Sequence, residues 1–186
     1  MIYAEPGYSL AQSGGQCPPG WVVMQGERPT VEHIAQADGT WFLSSDAVVR
    51  RLLLASNSAY ELATHAIAAD YPQLEKDTWP TQDKESKSWV ADPVNAVTPW
   101  IDHAALWRGL EREEYLRRTL AKAKQFEVIS SYLTGTRQKY EDLIKAGSTP
   151  VLDYTIPLSV YAEVQSQTAQ IMSRPSAELK ELFSWL

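Results

Sequence analysis

Ala37-Asp38-Gly39-Thr40-Trp41-Phe42-Leu43-Ser44-Ser45-Asp46-Ala47 is the stretch where this chain changes its period. Asp38-Gly39 is a tight-turn pair, and the β-prone run Thr40 to Leu43 follows it directly. Ser44-Ser45-Asp46 then offers a helix N-cap, because a short side-chain oxygen can accept from the open N–H groups of a first helical turn. Upstream of this junction, glycine and proline crowd together. Downstream, Ala47 to Ala69 contains neither. The chain therefore reads as α+β: a small N-terminal antiparallel β-module followed by a mainly α-helical body with a long helical hairpin.

Upstream, residues 1–45 form the β-rich module. Ile2-Tyr3-Ala4 and Trp21-Val22-Val23-Met24 are its other β-prone runs, separated by Gly7, Gly14, Gly15, Pro18, Pro19 and Gly20. A sheet of two or three strands is marginal in water, so this module must lean on the helices or on another chain.

Downstream, residues 46–150 read as the helical body. Val49, Leu52, Leu53, Ala59, Leu62, Ala66 and Ala69 recur at helical spacing up to Tyr71-Pro72. Thr78-Trp79-Pro80-Thr81 opens the next helix, with Pro80 at its first position, and Asp92-Pro93 stops it. Thr98-Pro99-Trp100 starts a short helix that Gly109 ends. The longest helix runs from about Glu111 to Ala146, with Leu116, Leu120, Ala123, Phe126, Ile129, Leu133, Tyr140 and Ile144 at near-heptad spacing. Gly135 inside it marks a close approach or a break. Residues 151–186 form a helical C-terminal extension interrupted at Pro175. Its apolar end, Leu179, Leu182, Phe183, Trp185 and Leu186, reads either as a segment folded back onto its own bundle or as a docking segment.

Composition excludes several classes. The formal net charge of −6 argues against a general nucleic-acid binder. A single cysteine, Cys17, rules out an internal disulfide. Met1 to Ser9 lack the basic and apolar regions of a secretory signal, and no run is long enough for a membrane helix. His33, His65 and His103 are not clustered as metal ligands, so no metal and no cofactor is expected. No G-x-S-x-G elbow or phosphate loop is present, and Cys17 has no local cue for a lowered pKa. Glu111, Glu113 and Glu114 suit a helix start, where negative charge complements the dipole. The basic residues Arg108, Arg112, Arg117, Arg118, Lys122 and Lys124 are interleaved with glutamate and read as a salt-bridged face. No catalytic residue is assigned. Seven tryptophans in such a chain point to packing and partner contact.

Gly20-Trp21-Val22-Val23-Met24, Glu27-Arg28-Pro29, Ile34-Ala35 and Ala37-Asp38-Gly39-Thr40-Trp41 resemble the N-terminal module of tail proteins from contractile and long-tailed bacteriophages. Trp79-Pro80-Thr81-Gln82, Glu85, Trp89, Thr98-Pro99 and Ile101-Asp102 continue the pattern. With Gly135-Thr136-Arg137-Gln138 and Asp142-Leu143-Ile144, they are similar to the helical segment of phage tail-fibre assembly proteins and tail accessory proteins. The resemblance implies a non-enzymatic assembly chaperone or fibre-tip accessory. Its partner would be the tail fibre or another phage tail protein, with no nucleic acid or membrane involved and an oligomer left open. The expected setting is the host cytoplasm during assembly, or the virion tail. The alternative is a structural virion component that links the fibre to the tail or baseplate through the C-terminal helix. Leu158 to Leu186 departs from the pattern, which keeps that alternative open. A small enzyme acting on bacterial surface polymer is a third reading, weakened by the lack of a paired-carboxylate or nucleophile signature. Expected partner-binding residues are Trp21, Trp41 and Phe42 in the head, and Leu179, Leu182, Phe183, Trp185 and Leu186 in the tail.

Overall fold

The computed structural model describes residues 1–183. Five short strands come first: β1 Ile2–Ala4, β2 Ala11–Ser13, β3 Val22–Met24, β4 His33–Ala35 and β5 Trp41–Leu43. The helices follow: α1 Ser45–Ala68, α2 Gln73–Ala91, α3 Pro99–Arg108, α4 Arg112–Lys145 and α5 Leu158–Ser173, with a 3-10 helix at Ser176–Leu182. The α+β class follows from this order. The chain divides into two compact units, Met1–Ser58 with Lys139–Leu152, and Ala59–Gln138 with Asp153–Leu186.

In the first unit the strands make two antiparallel sheets, one ordered β2-β1-β3 and one a β4–β5 hairpin. Tyr3 pairs with Gln12 on one side and Val23 on the other, and Ala35 pairs with Trp41. Asp38 builds the hairpin turn, accepting from the Thr40 N–H at 2.9 Å and from the Thr40 hydroxyl at 2.7 Å. Those bonds hold its carboxyl below the usual value. Gly39 has φ +83°, and its backbone lies close against the Val23 carbonyl. Its own carbonyl accepts from the Gln25 N–H at 2.8 Å. Only glycine combines that φ with that approach. Ala4, Met24 and Ala35 form the core of the head, with Ile2, Val22 and Trp41 packed on it. β2 and β4 lie outside the β-prone runs 2–4, 21–24 and 40–43. Ala11-Gln12-Ser13 has little strand preference and becomes a strand by pairing with β1, a case of context overriding propensity.

Ser44 caps α1, its hydroxyl accepting from the Ala47 N–H at 3.2 Å. Glu32, just before β4, accepts from Arg50 at 2.9 Å and from Arg51 at 2.6 Å, pinning the head to the first turns of α1.

In the second unit α2 corrects one expectation. It starts at Gln73, after Pro72, and runs through Pro80 rather than beginning there. A proline inside a helix removes one backbone bond. Pro80 sits on the exposed side, where water can take up the freed carbonyl of the preceding turn. α3 begins with Pro99 after Thr98 and ends at Gly109 in the left-handed conformation, as its local signals indicate. Glu85 of α2 is buried and caps this helix from outside, accepting from the N–H groups of Trp100 at 3.1 Å and Ile101 at 2.9 Å. An ionised acceptor at a helix N-terminus satisfies open donors and complements the dipole. Arg112 closes the same corner, donating to Asp102, Thr98 and the Ala96 carbonyl.

α4 is continuous through Gly135, and a Cβ there would meet nothing within 4 Å. Gly135 therefore marks neither a break nor a close approach. Leu116 and Leu120 join Trp89, Val90, Ile101 and Ile171 in the core of this unit. Arg117 is buried beside them. It donates to the Ile171 carbonyl at 2.6 Å and to Glu113 at 2.7 Å, with its guanidinium 5.6 Å from the centre of the Trp89 ring. Tyr60 reaches Thr134 at 3.1 Å and meets the buried Tyr154 edge-on.

Candidate partner-binding surfaces

Strand alternation sorts the aromatics of the head. Trp41 turns inward, packing on the small core and donating from Nε1 to the Gly26 carbonyl at 2.9 Å. Phe42, its neighbour, turns outward and is 37% exposed, directly across the hairpin from Ile34. Trp21 is half-buried. Its N–H donates to the Pro18 carbonyl at 3.2 Å, and its carbonyl accepts from the Cys17 thiol at 3.5 Å. The predicted head residues thus divide: Trp41 braces the module from inside, and Phe42 is presented. Val23 on β3 and Val31 before β4 are also presented, 53% and 79% exposed.

The predicted tail residues lie differently. Leu179 and Phe183 are buried in the core of the second unit beside Trp89, Ile101, Leu116 and Ile171, and Leu182 packs against that core. The chain folds this segment back onto itself, so these side chains fill its own interior. Trp185 and Leu186 lie outside the described residues.

Sequence reasoning missed Leu106 and Trp107 at the end of α3. They are 73% and 88% exposed, while Ile101 and Ala105 of the same helix are buried. The available signal was arithmetic: Ile101 and Ala105 already fill the i, i+4 inner face, which leaves Leu106 and Trp107 no place on it.

Three glutamates of α4 are held in ion pairs on their own helix. Glu113, Glu114 and Glu141 pair with Arg117, Arg118 and Lys145 one helical turn on. His33 shares a 2.9 Å hydrogen bond with Thr30. Among the described residues, no group of three His, Cys, Asp or Glu side chains is placed to hold a metal ion. Among them too, no helix is long and apolar enough to cross a membrane. Comparison with protein-family models, curated proteins and solved structures finds no match to this chain.

Proposed function

We propose that this chain is a non-enzymatic bacteriophage tail protein that binds the tail fibre, acting as an assembly chaperone or fibre-tip accessory. The observation that carries the proposal is the imbalance of the head. Its buried cluster is Ala4, Met24 and Ala35, with Ile2, Val22 and Trp41 only partly buried on it, while Val23, Val31 and Phe42 are exposed. A module with so little interior and so much presented apolar surface gains by covering a partner. β2 is an outer strand of its larger sheet, whereas β3 is met by Gly39, so a fibre strand could add to β2 by backbone pairing. A fibre tip built from intertwined β-structure is slow to assemble and exposes such edges while incomplete. The resemblance of Gly20–Met24 and Ala37–Trp41 to phage tail modules supports the same partner.

The test is co-expression with the tail fibre of the same phage. Soluble, trimeric fibre should rise with the wild-type chain and return to the baseline with Phe42→Asp, whose exposed site leaves the head core untouched. Unchanged fibre yield with the wild-type chain, together with no co-purification of the chain with the fibre, rejects the proposal. Mass spectrometry of purified particles then separates the two roles: absence marks a chaperone, a fixed ratio an accessory.

A further inference from the structure

We propose that a cleft between α2 and α4 in the second unit receives a short amphipathic helix of a partner protein, one carrying carboxylates beside its apolar face. The cleft has a volume of about 640 Å³ and is lined along α2 from Lys76 to Lys87 and along α4 from Thr119 to Ser130. At 1.5 Å per residue, each wall is roughly 16 Å long, the length of three helical turns. That is the footprint of a helix seated in a groove, read by apolar anchors one turn apart.

The lining is aromatic where a closed core would have buried such rings. Trp79 stands between Tyr71, 5.3 Å away centre to centre at 80°, and Phe126, 5.8 Å away at 60°. Phe126 lines the cleft from α4 and is exposed. Rigid aromatic surfaces of this kind dominate the affinity of protein interfaces.

Charge selects the partner. Of the cations on the rim, Lys87 pairs with Asp83 at 2.6 Å and Lys124 with Glu127 at 2.8 Å. Lys76 and Lys122 make no ion pair among the described residues, and Lys122 rests 4.9 Å over the Tyr71 ring. The cleft thus carries positive charge in excess, against the sign of a chain whose formal net charge is −6. Carboxylates complement that excess, and the aromatic lining takes the apolar stripe between them.

The test uses the full chain, labelled with ¹⁵N, and two synthetic amphipathic peptides. Both carry leucines at helical spacing; one is flanked by glutamates and the other by lysines. The glutamate peptide should shift the Trp79 indole N–H signal, assigned with Trp79→Phe. The double variant Lys76→Glu, Lys122→Glu should bind it about tenfold more weakly. Lys122 is exposed and Lys76 half-buried, and a thermal melt checks that the variant folds. If it does not, the wild-type chain still answers, because binding should weaken on adding roughly 0.5 M salt. Equal binding of the two peptides, or no shift at Trp79, overturns the proposal. So does binding that emerges only when residues 184–186 are removed, which would give the cleft to the chain's own last residues.

Discussion

The head of the first unit closes on Ala4, Met24 and Ala35, whereas the second unit closes on Trp89, Ile101, Leu116, Leu120 and Ile171. The head buries small side chains with Ile2, Val22 and Trp41 partly covered on them, and it leans on the Asp38–Thr40 turn, the close pass of Gly39 against β3, and the Glu32 ion pairs to α1. The second unit buries large side chains and satisfies buried polar groups with Glu85 and Arg117. The two therefore fail in different ways. The head is sensitive to the conformation of single residues, and the second unit to the loss of volume or of a buried partner.

Trp89→Ala should have the largest effect. It empties the centre of the second unit and leaves Arg117 without its ring, destabilising that unit by roughly 3–5 kcal/mol. Thermal unfolding followed by circular dichroism measures this. An equal loss of head signals in the same transition would mean that the two units unfold together, and the contrast would fail. Glu85→Ala comes next, at roughly 2–3 kcal/mol, because two donors at the start of α3 lose a charged acceptor. Accelerated amide exchange at Trp100 and Ile101 would locate the damage. Gly39→Ala should destabilise by roughly 2 kcal/mol through backbone strain, with chemical-shift changes confined to the first unit. Gly135→Ala should go the other way, raising the stability of α4 by roughly 0.5–1 kcal/mol, since nothing occupies the space beside it. Any loss there would reveal a contact that the structure lacks.

The smallest effect is one of pH. Hydrogen bonds from Arg50 and then Arg51 hold the Glu32 carboxyl below its ordinary value of 4.5. A group lowered in the folded state contributes stability above its unfolded pKa and loses that contribution as pH falls through the folded one. The head should therefore loosen below about pH 4.5, and Glu32→Gln should remove that part of the acid response. Carboxyl-carbon NMR of Glu32 against pH measures it directly, and titration of Glu32 at or above 4.5 would break the assignment.

What was legible in the sequence was local. Asp38-Gly39, Ser44, Thr98-Pro99 and Gly109 act within a few residues of themselves, and the structure uses each where its chemistry indicates. What was hidden depended on remote partners. Ala11–Ser13 becomes a strand only because β1 lies beside it. Pro80 carries the same local signal at a helix start as inside a helix whose exposed side tolerates it. The candidate surfaces divide in the same manner. The outward turn of Phe42 follows from alternation once Trp41 is inside, but the burial of Leu179 and Phe183 depends on α2 and α4 and has no local sign. The row of Tyr71, Trp79 and Phe126 was equally unreadable, because it joins two helices across intervening chain.

The bond from Arg117 to the Ile171 carbonyl spans 54 residues of chain. A ribosome makes those residues in order, so the Arg117 guanidinium has Glu113 on its own helix as a partner but not the Ile171 carbonyl until α5 has been synthesised. The first unit is complete once Leu152 is made, while the second still lacks everything from Asp153 onward. During translation the head is therefore finished before the body that follows it.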